Sequence, residues 1–497
     1  MVKVISRRIL LTQFLASAAL PAFAKAPLTS PRPKARAKDY QKALLKGSDS
    51  LVSSAQLGGK ISFAVADAKT GLVLESMNAA AGQPPASVTK AVTAAYALEH
   101  LGAGHRFRTQ VLVTGGVVNG EVQGDVILAG GGDPMLDTDA LGDLAKALKA
   151  AGVRAVKGQF KVYIGALPFL HKIDPDQLDH VGYNPSVCGL NLNYNRVHFE
   201  WKRGKKGYQV TLDARAKRYV PRVTTAKMRI VDRELPVYTY KSSKGVDNWT
   251  VAKRALGKGG ARWLPVRNPG LYAGDVFQTL VRSHGIVLAT PRVVKSLPAN
   301  AQAVAEHKSP TVSEITRLML KFSNNLTAEA LGMAASRVAF PGQSSHAASA
   351  RAMSTWARKR LGMGSAKFSD HSGLNETTRM TAQELVKALT SLGPGGQLAA
   401  LLKPIPLRNS KGKVNKAHPV KVHAKTGTLN FVSGLAGFMR ARDGTQLVFA
   451  IFASDLPRRR RAKKTGDEVP GGSRGWNKRA RALQQQLIER WDTLYGT

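Results

Sequence analysis

Pro84-Pro85-Ala86-Ser87-Val88-Thr89-Lys90-Ala91-Val92-Thr93-Ala94-Ala95-Tyr96 opens a helical pattern directly behind two prolines. The prolines end the preceding segment, and the run from Val88 to Glu99 carries apolar residues at helical spacing, with Ser87 at or just before its start. The first backbone N–H groups of a helix lack intrahelical partners, and its dipole there favours negative charge developing on an oxygen. Lys90 lies three residues beyond Ser87, hence on the same face and within reach of its hydroxyl. A hydroxyl with an amine beside it is a nucleophile with a candidate base.

Working outward, Ile61-Ser-Phe-Ala-Val-Ala66 reads as a strand, Asp67 to Gly71 as a turn and Leu72-Val-Leu-Glu-Ser76 as the returning strand. Beyond about Arg106 the texture is strand and turn, including a meander around Asn119-Gly120, and it continues to about Pro265 with one helical pattern at Leu141 to Ala151. The stretch from Trp201 to Trp263 is basic and irregular in pattern. Helical patterns follow at Ala273–Ser283, Val312–Leu320, Ala328–Val338 and Ala347–Leu361. Three late strands are predicted at Val420–Lys425, Leu435–Arg440 and Leu447–Phe452, and Leu483, Leu487, Ile488, Trp491, Leu494 and Tyr495 repeat at helical spacing.

Three short motifs occur in order: Ser87-Val-Thr-Lys90, Ser323-Asn-Asn325 and Lys425-Thr426-Gly427-Thr428. Each has competitors in the chain, namely Ser410-Lys-Gly-Lys413, Ser76-Met-Asn78, Lys69-Thr-Gly71 and Lys464-Thr-Gly466. Context separates them. Ser410 sits in a Gly- and Lys-rich loop that would not hold two groups in register, Lys69-Thr-Gly71 occupies a turn, and Lys464-Thr-Gly466 follows the basic run Arg458–Arg461. Lys425-Thr-Gly427 ends an alternating strand, where side chains of one face can line a cleft.

The ordered triple resembles the serine penicillin-recognising enzymes, the penicillin-binding proteins and serine β-lactamases. The long insert between Ser87 and Ser323 is similar to that of the class C, low-molecular-mass D-alanyl-D-alanine carboxypeptidase/endopeptidase family. Gly102-Ala-Gly-His-Arg-Phe-Arg-Thr109, Gly130-Gly-Gly-Asp133-Pro134, Gly189-Leu-Asn-Leu-Asn-Tyr-Asn195 and Asp370-His-Ser-Gly-Leu374 match it too. The resemblance spans most of the chain and is thinnest between about 200 and 265.

That resemblance implies an α+β fold: a transpeptidase-like core, with an antiparallel sheet flanked by helices beside a helical cluster, interrupted by a largely β insert. It also implies roles. Ser87 attacks the carbonyl between two D-alanines, Lys90 is the general base, and Ser323 passes a proton to the leaving amine. Asn325 hydrogen-bonds the substrate amide, while Lys425, with the hydroxyls of Thr426 and Thr428 around Gly427, holds the terminal carboxylate. The backbone N–H groups of Ser87 and Thr428 form the oxyanion hole. No metal or cofactor is expected. Peptidoglycan stem peptides are the expected partner and β-lactams the expected inhibitors. Two departures stand out. The family's Asp-Gly-Ser-Gly-Leu-Ser-Arg reads Asp370-His-Ser-Gly-Leu-Asn-Glu376 here, with Arg379 a candidate substitute for the arginine. The usual acidic end of an insert strand reads Tyr163-Ile-Gly-Ala-Leu-Pro-Phe169.

Composition supplies the frame. The chain has 497 residues, room for roughly three domains. Hydrophobic residues at 43% and charged residues at 21% exclude global disorder. Lys plus Arg total 74 against 32 acids, a formal net charge of +42 that draws the chain to anionic polymers or envelope surfaces. No nucleic-acid motif accompanies the charge, so no nucleic-acid partner is expected. The single Cys188 excludes an intrachain disulfide or a Cys-rich metal site, and the 11 histidines show no ligand spacing.

Lys3, Arg7 and Arg8, then an apolar run from Ile9 to Leu20 and Ala22-Phe-Ala24, predict a signal peptide over 1–24 and export to a periplasm. Ser6-Arg-Arg-Ile-Leu-Leu11 resembles a twin-arginine signal. A basic linker over 25–39 is expected next, then a D,D-peptidase core over 40–105 and 300–497. The insert spans 106–299, with about 200–265 a candidate separate unit. The competing reading is a catalytically inactive, basic wall-binding protein on the same fold.

Overall fold

The computed structural model describes Lys42 and residues 44–342, 345–409 and 411–496. The expected signal peptide and linker therefore lie outside the described residues, as does Ser410. Residues 47–497 form one compact unit.

The centre is a six-stranded antiparallel sheet built from both ends of the chain. Strands β1 (Lys60–Asp67) and β2 (Val73–Met77) come from the start. After the single turn Ala86–Val88 and helix α1 (Thr89–Leu101), the chain leaves for the insert. There β3 (Arg108–Val113), β4 (Val126–Gly130), α2 (Thr138–Ala150) and β5 (Phe160–Tyr163) are followed by six strands, β6 (Arg196–Gly204), β7 (Gly207–Asp213), β8 (Ala226–Val231), β9 (Tyr238–Ser243), β10 (Val246–Ala252) and β11 (Gly259–Pro265). Helix α3 (Pro269–Arg282), β12 (Arg292–Val294) and β13 (Gln302–Lys308) complete it. Helices α4 (Val312–Phe322), α5 (Asn325–Ala339), α6 (His346–Leu361) and α7 (Ala382–Leu392) follow. The chain then returns to the central sheet through β14 (Lys403–Pro404), β15 (Lys421–Leu429), β16 (Val432–Arg440) and β17 (Gln446–Ser454), and ends in α8 (Leu456–Lys463) and α9 (Ser473–Tyr495). Sheet order is β14-β15-β16-β17-β1-β2.

Alternation explains the layers. On β16 and β17 nearly every residue is buried, because both faces of the sheet are covered. Phe438, Val448, Ala450 and Phe452 pack with α1 and α4–α7, whereas Leu435, Met439, Phe449 and Ile451 pack with Trp476, Leu483, Leu487 and Trp491 of α9. Helix α1 is buried along ten consecutive positions from Thr89 to Leu98; its apolar and small residues on every side suit a helix at the middle of the cluster.

In the insert, a mixed five-stranded sheet ordered β12-β5-β4-β3-β13 carries α2 and α3. The stretch from Trp201 to Trp263, irregular in pattern, forms regular strands in two three-stranded sheets ordered β7-β6-β11 and β8-β10-β9. Alternating exposure along β7 shows why its sequence hides this: one face meets water and carries polar residues. Its neighbours' Phe199, Trp249 and Val251 share a core with Val111 and Phe160 of the five-stranded sheet. Cys188 is buried with its Sγ 3.0 Å from the Leu190 carbonyl and packs as a small hydrophobe.

Trp491 anchors α9: it has no exposed surface, its ring lies 5.9 Å from those of Phe63 and Phe449, and its indole N–H donates to Glu75 Oε2 at 2.9 Å. Trp491→Ala is expected to lower stability by about 3–5 kcal/mol, read from urea unfolding.

Candidate active site

The turn Ala86–Val88 presents Ser87 at the threshold of α1, and Ala86 takes a positive φ of 48°, an uncommon and strained conformation for a residue with a Cβ. Two backbones press on this turn. A Cβ on Gly427 of β15 would lie 2.4 Å from the Pro85 carbonyl oxygen, and one on Gly373 (φ 72°) would lie 2.0 Å from that of Ala86. Glycine at both positions is what allows strand and loop to close on the turn that carries Ser87.

Lys90 Nζ lies 2.9 Å from Ser87 Oγ, 2.7 Å from Asn325 Oδ1 and 2.7 Å from the carbonyl of Ser372. The Ser372 carbonyl can only accept. The Asn325 amide is oriented by its own Nδ2, which donates to the Tyr183 carbonyl at 2.9 Å, so its oxygen faces the lysine. With two N–H groups committed to these acceptors, a neutral amine turns its lone pair toward the Ser87 hydroxyl. Lys90 has no exposed surface. Burial pulls its pKa down to about 7, opposed by the negative charges of Asp370 and then Glu329.

Lys425 Nζ donates to Ser323 Oγ at 3.0 Å and to the Thr426 carbonyl at 2.7 Å. It too is wholly buried, and burial followed by the neighbouring cations Lys90 and Lys403 holds its pKa well below the usual lysine value. Ser323 sits in the left-handed residue (φ 59°) between α4 and α5, which separates its side chain from both helices. Among the described strands, β14 pairs with β15 only at Ala424 and His423. Lys425 to Leu429 therefore form an open sheet edge.

These groups meet at a cleft of about 360 Å³ lined by Ser87, Ser323, Asn325, Gly373 and Thr428 on the core side. Lys90, Lys425, Thr426 and Gly427 are not among its lining residues. The opposite wall is the insert segment Asp176–Leu178 with Tyr183, held by buried Arg267, whose guanidinium donates to the carbonyls of His171 (3.1 Å), Asn184 (2.7 Å) and Asp179 (2.9 Å). Helix α8 and the segment after it supply Arg459, Lys463 and Gly466.

Arg459 is a feature the sequence concealed. The run Arg458–Arg461 reads as a solvated loop, but it is helical, and Arg459 is almost fully buried with Nε 2.5 Å from Glu376 Oε2. Lys463 Nζ lies 2.8 Å from the other Glu376 oxygen. Arg379, the candidate substitute for the missing arginine, turns to the backbone carbonyls of Glu376 and Thr378 and does not line the cleft. Glu329, buried beside Lys90, and its partner His346 were also missed; their only signal is that Glu329 follows Asn325 by one helical turn.

Comparison with known proteins settles the lineage. Residues 45–469 match the model of the D-Ala-D-Ala carboxypeptidase 3 (S13) family. The chain belongs to that family. It is a serine peptidase, a hydrolase, and the resemblance read from its motifs is borne out. A D-alanyl-D-alanine carboxypeptidase from an Actinomadura species is 28% identical over 490 residues, covering 86% of this chain and 86% of that protein. The D-alanyl-D-alanine carboxypeptidase DacB of Haemophilus influenzae is 23% identical, covering 80% and 85%. The crystal structure of penicillin binding protein 4 (dacB) from Haemophilus influenzae superposes with a TM-score of 0.71 at 20% identity, over 89% of this chain and 99% of that one. The fold is therefore the expected penicillin-binding-protein core with its β insert.

For this S13 member, Gly427→Ala is expected to push β15 off the Pro85 carbonyl. D-alanine release should fall roughly 100-fold in kcat/KM while circular dichroism stays that of the folded protein.

Proposed function

We propose that this S13 peptidase is exported to the periplasm and hydrolyses D-Ala-D-Ala ends, peptide crosslinks of peptidoglycan, or both, through an acyl-enzyme on Ser87, and that β-lactams acylate the same oxygen. The observation that carries the reading is the 2.9 Å approach of a fully buried Lys90 amine to the Ser87 hydroxyl, with the other amine hydrogens engaged by pure acceptors. Reactive serines elsewhere are made nucleophilic by just such an adjacent base. A lysine with pKa near 7 is suited to accept a proton and return it.

The steps follow from the geometry. The Ser87 proton passes to Lys90 Nζ as Oγ bonds to the carbonyl carbon of the penultimate D-alanine. Negative charge on the carbonyl oxygen falls to the backbone N–H groups of Ser87 and Thr428. The C–N bond then breaks as the proton taken up by Lys90 is delivered to the departing amine nitrogen through Ser323, whose hydroxyl Lys425 Nζ holds at 3.0 Å. Lys425, with Thr426 and Thr428, attracts the terminal carboxylate, and Asn325 meets the substrate amide. The open edge of β15 can take the peptide as an added strand. Water then hydrolyses the ester and restores Ser87.

Support for the substrate comes from the named carboxypeptidase relatives, and for β-lactam acylation from a second Haemophilus influenzae structure described as complexed with a novel β-lactam. No described helix is long and apolar enough to cross a membrane. The same reading divides the chain into a core of 40–105 and 300–497 and an insert of 106–299, except that β13 (Gln302–Lys308) pairs with β3 and so goes with the insert sheet. It also assigns the +42 charge to attraction toward an anionic envelope.

Ser87→Ala is expected to abolish both fluorescent-penicillin labelling and D-alanine release; covalent labelling that survives it would refute the assignment. A wild-type protein that binds peptidoglycan but is never labelled would establish the inactive wall-binding alternative. Because Lys90 must be neutral to accept the proton, acylation should fall about tenfold per pH unit below 7 and level off above it, as read from stopped-flow labelling.

A further inference from the structure

Helix α5 turns one stripe toward Lys90. Asn325, Glu329, Gly332 and Ser336 recur on it at helical spacing. Asn325 Oδ1 takes one lysine hydrogen at 2.7 Å. One turn on, the wholly buried carboxylate of Glu329 accepts the backbone N–H of His371 at 3.0 Å and that of Ser372 at 2.9 Å. Its third donor is His346 Nε2, at 2.7 Å. At the next position a Cβ on Gly332 would lie 2.2 Å from the His371 ring, so only glycine lets the loop sit this close. Ser336 then reaches Ser349, whose hydroxyl lies 2.7 Å from His371 Nε2.

The loop gripped in this way delivers the Ser372 carbonyl to Lys90. The peptide that contains this carbonyl is fixed at its other end by the Gly373 N–H, which donates to Asp370 Oδ1 at 2.8 Å. Two carboxylates therefore hold one loop from different sides. Asp370 folds it from within, and Glu329 clamps it onto α5. Neither oxygen of Glu329 is spent on solvent.

We propose that Glu329, with His346 as its counter-ion, is a positioning residue for Lys90, seating the loop that carries the Ser372 carbonyl and supplying an anion behind the amine. This rests on the reading of Lys90 as the base of acylation. The charged groups facing Lys90 are Asp370, Glu329 and Lys425; those facing Glu329 are His346, Asp370 and Lys90. His371 also touches the carboxylate, but burial pushes its pKa down to about 4, which keeps it neutral. Burial would raise the Glu329 pKa, yet the His346 charge and hydrogen bond hold it low; the same partnership raises His346 against the pull of its own burial. A neutral substitution on either side of this pair should therefore move Lys90 in opposite directions.

The test is the pH profile of penicillin acylation of the purified protein, normalised to the reactive fraction so that partial unfolding drops out. Glu329→Gln removes the anion that favours the charged amine and turns an amide toward two N–H donors. Its plateau rate should fall roughly tenfold or more, and its acid limb should move to lower pH. His346→Gln keeps a donor, and the His371 and Ser372 backbone N–H groups still hold the carboxylate ionised, so the anion left without its counter-charge should move the acid limb to higher pH. Each shift should be roughly half a unit or more. Glu329→Asp, which retains the charge, should bring the limb back toward wild type. If Glu329→Gln does not fold, the upward shift in His346→Gln carries the test, because its side chain stands at the partly open end of the pair. Limbs that coincide with wild type, or that move in the same direction, would overturn the proposal and leave Glu329 a scaffold residue. Failure of the wild type to label at all would instead defeat the Ser87 reading.

Discussion

The whole site depends on keeping an amine out of water while leaving it able to change charge. A lysine with no exposed surface loses its hydration, and alone it would take up a proton far less readily than a solvated one. Two buried carboxylates, Asp370 and Glu329, restore part of what hydration supplied and bring Lys90 back to about 7. The balance matters in both directions. With less anion the amine could take a proton only weakly; with more it would already hold one, and the base role proposed for it would be closed. Asp370 is itself pushed up to about 6 by burial and by the neighbouring Glu329, so the charges behind the lysine titrate as a group.

That balance exists only because segments far apart in sequence are forced together. The sheet pairs β1 directly with β17, so the turn that follows the first two strands lies beside the last three. Lys425 then reaches Ser323 at the junction of α4 and α5, and Asn325 at the start of α5 reaches Lys90. Gly427 and Gly373 close the arrangement from two sides, each set against a carbonyl of the Pro85-Ala86 turn with no room for a side chain. A strained Ala86 under such pressure is a stored distortion that the surrounding packing must hold in place.

The elements that build this core were legible because their periodicity is strong. The late strands and the helices at 312–322, 325–339 and 346–361 all fall where apolar spacing puts them, with boundaries shifted by a few residues. The three motifs were legible from order and context. Glu329 and His346 were not. A lone acid in an apolar helix and a histidine at a helix start look like surface residues until the loop at 370–375 arrives from elsewhere in the chain. Arg459 was hidden by its neighbours: four arginines in a row suggest a solvated loop, and nothing local distinguishes the one that turns inward. The strands between 201 and 263 were hidden by polar, solvent-facing sides that dilute the alternation.

Position 376 shows why a departure from a motif must be judged in space. A carboxylate there, beside a cleft whose expected ligand ends in a carboxylate, would by itself repel what the site must hold. In this chain it does not face the cleft unpaired. Arg459 and Lys463 of α8 meet its two oxygens, and Arg459 also donates to the Asn430 carbonyl on the adjoining turn. Lys463 reaches Asp176 only at 3.7 Å, and that acid is largely exposed, so water screens it strongly. The wall is mixed in sign, since Asp176, Asp467 and Glu468 line the same cleft as Arg459 and Lys463. Arg459 and Lys463 of α8 thus sit directly against the loop after Leu374, and Glu376, which would otherwise stand there as a bare anion, fixes both in place.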